Sequence, residues 1–210
     1  MLIAVDGPLA SGKGTIAKHL ANWYHLPYLD TGLLYRACAL GVLQSGEDPS
    51  DEVAAAKSAK AVDRAALDHF QLRSARIGAA ASKVAAIPAV RNALMDYQRR
   101  FAEQDGGAVL DGRDIGTVIC PKADVKLWIY APAEVRATRR HKELLERGED
   151  ISKDEVLAQL RERDSRDAGR PYAPMLRAVD AHLLNTGDLS IDAAFEVARR
   201  IIDAAQAEHS

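Results

Sequence analysis

The chain has 210 residues, 48% hydrophobic and 28% charged, with a formal net charge of −2. That length supports one solid α/β core plus an insertion, and the near-neutral charge excludes a global basic field for nucleic acid. Two cysteines without CxxC spacing, Cys38 and Cys120, exclude a disulfide scaffold or zinc site, and no apolar run approaches the ~18 residues that span a bilayer.

The first element is the apolar run Leu2–Asp6, a buried strand, followed at once by Gly-Pro-Leu-Ala-Ser-Gly-Lys-Gly-Thr over residues 7–15. Gly7, Pro8, Leu9, Ala10, Ser11, Gly12, Lys13, Gly14 and Thr15 together read as a phosphate-binding loop between strand and helix. Its glycines permit positive φ and let backbone N–H groups face inward. Those groups and the positive end of the next helix hold phosphates. Lys13 supplies a mobile cation for the β- and γ-phosphates, and the hydroxyl of Thr15 is a Mg²⁺ ligand candidate. Gly14 stands where the strict pattern has Ser or Thr, and Thr15 follows. The plainer reading is a Gly-rich turn that binds nothing. A loop beginning at residue 7 also argues against a cleaved signal peptide, so the expected location is cytoplasmic.

Four more short apolar runs read as parallel strands buried on both faces: Leu26–Leu29, Ala108–Asp111, Val125–Tyr130 and Ala181–Leu184. Helical patterns fall at Thr15–Tyr24, Leu33–Leu43, Asp51–Leu72, Ala89–Ala102, Ala133–Glu146, Lys153–Asp167 and Ile191–Ala205. The alternation predicts an α/β, doubly wound, five-stranded parallel sheet with helices on both faces and ligands at the strands' carboxyl ends. One connection, residues 37–106, spans 70 residues and reads as a helical inserted subdomain within a single domain over 1–210. Another, 136–177, carries nine arginines.

Chemistry-bearing residues recur at strand ends. Asp111 closes the third strand, where an acid near Mg²⁺ is expected in phosphate-loop proteins, although Asp also suits turns. Arg113 and Asp114 follow in Asp-Gly-Arg-Asp-Ile-Gly and project where substrate binds, or form a local salt bridge. After the second strand, Asp30 or Thr31 reads as an N-cap, and Arg36 on the next helix is placed to reach a phosphate bidentately. On the late helix, Arg163, Asp167 and Arg170 fall at i, i+4 and i+7, within ~60° of one another. Solvated i,i+4 pairs explain most such charge runs, but a stripe of arginine suits a face that clamps phosphates. The six histidines show no metal spacing, and no Ser/His/Asp arrangement stands out.

Taken together, the loop at 7–15, Leu-Asp-Thr-Gly-Leu-Leu-Tyr-Arg, Ala-Ala-Ser-Lys-Val-Ala-Ala-Ile-Pro-Ala-Val-Arg, Asp-Gly-Arg-Asp-Ile-Gly-Thr-Val and Arg-Asp-Ser-Arg-Asp-Ala-Gly-Arg resemble bacterial cytidylate kinases. The resemblance runs to about residue 200, apart from a stretch near 44–72. There the family's usual β-hairpin is replaced by a shorter run that reads as helix. The resemblance implies phosphorylation of CMP or dCMP by ATP with Mg²⁺, held by Thr15 and Asp111. It implies that residues 7–15 hold ATP, with Arg139 and Arg140 as looser candidates. Arg36, Arg113 and Arg170 match residues that grip the CMP phosphate, and Ser82, Arg91 and Asp114 match those that read cytosine. Thr31 matches a family Ser near the base, and Arg163 and Asp167 match residues facing the sugar. Lys13, Arg113 and Arg170 would carry catalysis, 37–106 would bind the monophosphate, and 136–177 would form an Arg-rich lid. Expected partners are ATP and CMP or dCMP, with no nucleic acid or membrane, and a monomeric chain.

Alternatives are a phosphate-loop kinase for another acceptor, such as shikimate or uridylate, and a nucleotide switch. A GTPase would want Asn-Lys-x-Asp as guanine reader, which the chain lacks.

Overall fold

A computed structural model describes residues 1–63, 65–68 and 70–208. The five apolar runs form strands β1 (Leu2–Asp6), β2 (Tyr28–Asp30), β3 (Ala108–Gly112), β4 (Val125–Tyr130) and β5 (His182–Asn185), in the order β2-β3-β1-β4-β5. The β1–β3, β1–β4 and β4–β5 pairings are parallel. From β1 the chain runs to one side of the sheet, and from β3 it crosses to the other. The carboxyl ends of the central strands are therefore the topological switch point where doubly wound sheets bind ligands.

Eight α-helices occur among the described residues, the last of them after the final strand: α1 (Lys13–Trp23), α2 (Thr31–Gln44), α3 (Glu52–Lys60), α4 (Ala75–Val84), α5 (Pro88–Ala102), α6 (Ala133–Glu146), α7 (Lys153–Ala168) and α8 (Ile191–Glu208). Ile3, Val5, Val109, Leu127 and Ile129 of the sheet bury one face against Ile16 and Leu20 of α1 and Ala194, Ala198 and Ile202 of α8. Ala4 and Leu110 alternate with these and are also fully buried, as period-2 side chains of a sheet covered on both faces must be. The edge strand β5 departs from that expectation, with three of its four residues exposed.

The chain divides into two compact units, residues 1–29 with those from Ala102 on, and Asp30–Phe101. In the second unit the expected helix Asp51–Leu72 is broken. Helix α3 starts where the Asp51 carboxylate accepts from the Val53 and Ala54 amides, and it stops at Lys60. Two 3₁₀ turns follow, Ala65–Asp68 and Phe70–Arg73, the first opened by Asp63 accepting from the Ala66 N–H. A side-chain acceptor three residues upstream offers the backbone an alternative to continuing the helix. Ser74 then caps α4, accepting from Ile77 N–H. No strand occurs among the described residues of 44–72.

Candidate active site

The phosphate loop takes the form its glycines allow. Gly7 has φ +150°, and a Cβ there would lie 1.9 Å from the Ile129 carbonyl oxygen, so no side chain fits. Gly12 is left-handed at φ 86° and caps α1. Ala10 is also left-handed, at φ 61°. Two loop carbonyls are held from outside. Arg136 Nη1 donates to Leu9 O at 3.1 Å, and Thr186 Oγ1 donates to Ser11 O at 2.7 Å.

Lys13 is buried, with Nζ 3.6 Å from Asp111 Oδ2. The Tyr28 hydroxyl donates to the other Asp111 oxygen at 2.8 Å. A Cβ on Gly14 would stand 3.5 Å from Asp111 Oδ2, so the residue that departs from the strict loop pattern is the one facing this carboxylate. The donor set suits Mg²⁺. That ion keeps several waters and needs only one or two carboxylates beside substrate phosphates, and Asp111 with the exposed Thr15 offers such a set. A cluster of three or more acidic, His or Cys ligands does not occur among the described residues, and this chemistry does not require one.

Just before the loop, the buried Asp6 carboxylate accepts from the amides of Ile115, at 2.9 Å, and Gly116, at 2.7 Å. This ties the end of β1 to the turn carrying Arg113 and Asp114. Burial pushes the Asp6 carboxyl up to about 7, against the pull of those two N–H groups. Lys126 supports the same turn. Its chain lies 3.1 Å from where a Gly116 Cβ would be, and its ammonium bonds Pro121 O and Asp180.

The arginine stripe converges on Asp167. Arg113 Nε lies 3.4 Å and Arg163 Nε 3.7 Å from Asp167 Oδ2, and Arg170 Nε donates to the Asp167 carbonyl at 3.2 Å. Asp167 and Arg170 are buried. Two guanidinium groups face the Asp167 carboxylate and a third holds its main-chain carbonyl; Arg170 does so from beyond the end of α7 at Ala168, not from a further turn of the helix. The solvated-face reading holds for the outer side of α7, where Arg166 pairs with Glu162 and Arg161 with Glu134.

In the unit Asp30–Phe101, Thr31 opens α2 and is buried, as is Ser82 on α4. Arg36 donates to Leu72 O at 2.6 Å and lies against Gly78, where a Cβ would come within 3.1 Å of Nη2. Arg91, also buried, donates to Ala85 O and stands 5.3 Å from the centroid of the Tyr35 ring.

The two arginines expected near ATP both have partners on the chain, Arg139 in Thr186 and Arg140 in Glu143. Arg139 Nη1 lies 3.9 Å from where a Gly12 Cβ would be, at the loop. Arg140 is drawn to Glu143, one turn along its own helix, at 2.7 Å. Arg136, Thr186 and Asp6 are neighbours of the loop that sequence reasoning did not single out as site residues. Asp6 was visible as a strand-ending acid, and Arg136 was one arginine among nine.

The cytidylate kinase family model matches residues 3–207. The chain belongs to the cytidylate kinase family. A cytidylate kinase from Xanthobacter autotrophicus is 56% identical over 207 residues, covering 99% of both chains. One from Caulobacter sp. is 54% identical over 98% of this chain and 95% of that relative. One from Brucella suis is 50% identical over 99% and 95%. The short run at 44–72 therefore sits inside near full-length matches to the family. Among solved structures, an uncharacterized protein from Eubacterium ventriosum superposes with a TM-score of 0.58 at 15% identity, covering 97% of this chain and 98% of that one, which speaks to the fold alone. No helix among the described residues is long and apolar enough to cross a membrane.

Proposed function

We propose that residues 7–15 bind ATP with Arg139 and Arg140 as looser contacts, that Thr15 and Asp111 hold Mg²⁺, and that Arg36, Arg113 and Arg170 grip the phosphate of the acceptor nucleotide. Ser82, Arg91 and Asp114 read its cytosine, Thr31 lies near the base, and Arg163 and Asp167 face the sugar. The reaction is ATP-dependent phosphorylation of CMP and dCMP to CDP and dCDP, in pyrimidine nucleotide metabolism. In this reading 37–106 binds the monophosphate, 136–177 is the lid, and the enzyme works as a cytoplasmic monomer.

The observation that best supports the reading is the convergence of Arg113, Arg163 and Arg170 on Asp167. A phosphate loop alone serves any nucleotide hydrolase. A second cluster, of three arginines around Asp167 in the same unit as the loop, fits an acceptor that is itself a phosphate.

Phosphoryl transfer asks for positioning and charge stabilisation more than covalent chemistry. Thr15 and Asp111 would hold Mg²⁺, which would supply positive charge against the ATP phosphates. Lys13 neutralises charge that develops on the transferring group, and Asp111 fixes where its ammonium stands. Arg36, Arg113 and Arg170 offset repulsion between donor and acceptor phosphates and align the attacking oxygen. That oxygen is already anionic, so a dedicated general base is unnecessary. Excluding water from the transferring group suppresses hydrolysis of ATP.

A coupled assay for ADP release tests this. Release that requires CMP and stops on chelating divalent cations supports it. ADP release that does not depend on CMP contradicts it.

A further inference from the structure

The phosphate loop is gripped from behind at two backbone carbonyls. The Thr186 hydroxyl has one proton and two carbonyls in range, Ser11 O at 2.7 Å and Tyr130 O at 3.3 Å. The Thr186 N–H already supplies Tyr130 O at 2.8 Å. The shorter of the two contacts marks Ser11 O as the acceptor to which the hydroxyl donates. Arg139 fixes that hydroxyl in turn, donating to Thr186 Oγ1 at 3.1 Å and to Thr186 O at 2.6 Å. Thr186 is buried.

The second grip is Arg136. Its guanidinium spans Ala131 O at 2.9 Å, Leu9 O at 3.1 Å and Asp164 Oδ2 at 2.6 Å, tying the loop to the start of α6 and to α7. The peptides are trans, and in a trans peptide the N–H points opposite to the C=O before it. Holding Leu9 O and Ser11 O outward therefore turns the Ala10 and Gly12 N–H groups the other way. The left-handed φ of 61° at Ala10 is a conformation that a non-glycine residue keeps only when its surroundings impose it.

We propose that Thr186 and Arg136 are positioning residues for the phosphoryl donor: by clamping the Ser11 and Leu9 carbonyls they pre-orient the Gly12 and Ala10 amides toward the ATP phosphates. Arg139, besides its place beside the loop, steadies the Thr186 hydroxyl. This rests on the assignment of residues 7–15 to ATP. Preorganised amides contribute to binding and to transition-state stabilisation because they need not reorient on binding.

Thr186→Val keeps the shape and removes the hydroxyl, and Thr186→Ser keeps the hydroxyl. The measurements are kcat/KM for ATP and for CMP, ATP affinity by calorimetry without CMP, and the melting temperature. Thr186→Val should lose about tenfold in kcat/KM for ATP and in ATP affinity, the size of one lost hydrogen bond, with KM for CMP unchanged. Thr186→Ser should restore both. Equal losses toward ATP and CMP, a lower melting temperature with wild-type ATP affinity, or failure of Ser to rescue overturns the clamp. Wild-type enzyme that binds no ATP overturns the loop assignment, and the clamp with it.

Discussion

Lys13 Nζ stands 3.6 Å from Asp111 Oδ2, which joins the loop's single lysine to the carboxylate that closes β3. The Tyr28 hydroxyl on the other oxygen fixes the carboxylate, so the ammonium has a defined resting place. Lys13→Met should leave the fold standing and lower kcat by about 10²–10³, the usual cost of ~2.7–4 kcal/mol for one preorganised charge contact. Retention of more than about a tenth of wild-type kcat contradicts the role given to Lys13.

Arg170 and Arg199 separate a phosphate grip from a surface ion pair. Arg170 is buried and bonded to the Asp167 carbonyl. Arg199 pairs with Glu196 and Asp203 on its own helix and lies over Trp23. Arg170→Met should cut kcat/KM for CMP by about 10–100-fold, since hydrogen bonds to charged groups contribute ~1.5–3 kcal/mol. Arg199→Met should leave kcat/KM within about twofold. Equal effects on turnover would place the stripe on a merely solvated face.

Asp6 predicts a pH signature in stability. Its carboxyl is held at about 7 by burial, well above the usual carboxylate range. The folded state therefore binds the proton more tightly than the unfolded chain, and stability falls as pH rises from about 4 to about 7. The acids with lowered values, among them Glu134, Glu155 and Asp180, act in the opposite sense but below that window. Denaturant titrations between pH 5 and 7 should show a loss of up to ~1.4 kcal/mol per pH unit, one proton's worth. Asp6→Asn should be less stable near pH 5, because its amide NH₂ meets an N–H that Asp6 accepts, and should show a flat profile. A slope unchanged in Asp6→Asn assigns the proton elsewhere.

What sequence made legible follows from where the signal is local. Strands β1, β3 and β4 are apolar runs closed by Asp, Gly or Tyr, and the loop announces itself through Gly and Lys spacing. The pairing of Arg163 with Asp167 was visible because helical periodicity is regular, but α7 ends at Ala168, and Arg170 reaches Asp167 from beyond the Gly169 cap rather than at a further helical position. The break after Lys60 was not, because Ala-rich chain suits a long helix and the competing acceptor is a single Asp63 carboxylate. Helix α4 was hidden in the same Ala-rich stretch. Thr186 and Arg136 left no motif, since they act on backbone carbonyls 175 and 127 residues away. Arg140 pairs with Glu143, as i,i+3 neighbours on a helix do, whereas the bonds from Arg139 to Thr186 have no local spacing to announce them.

The central claim, that this site takes cytosine nucleotides, is tested most directly by kcat/KM for CMP against UMP. Cytosine offers an N4 donor and N3 and O2 acceptors. Both proposed base readers are buried; in the proposed assignment Asp114 accepts from N4 and Arg91 donates to the acceptor edge. Uracil would set O4 against the carboxylate and N3–H against the guanidinium. Each buried mismatch costs ~1–3 kcal/mol, and more when charged. A site built to hydrogen-bond rejects the wrong analogue strongly, so CMP should exceed UMP by about 10²-fold or more. A ratio within about fivefold would contradict the account and describe a broad pyrimidine nucleotide kinase.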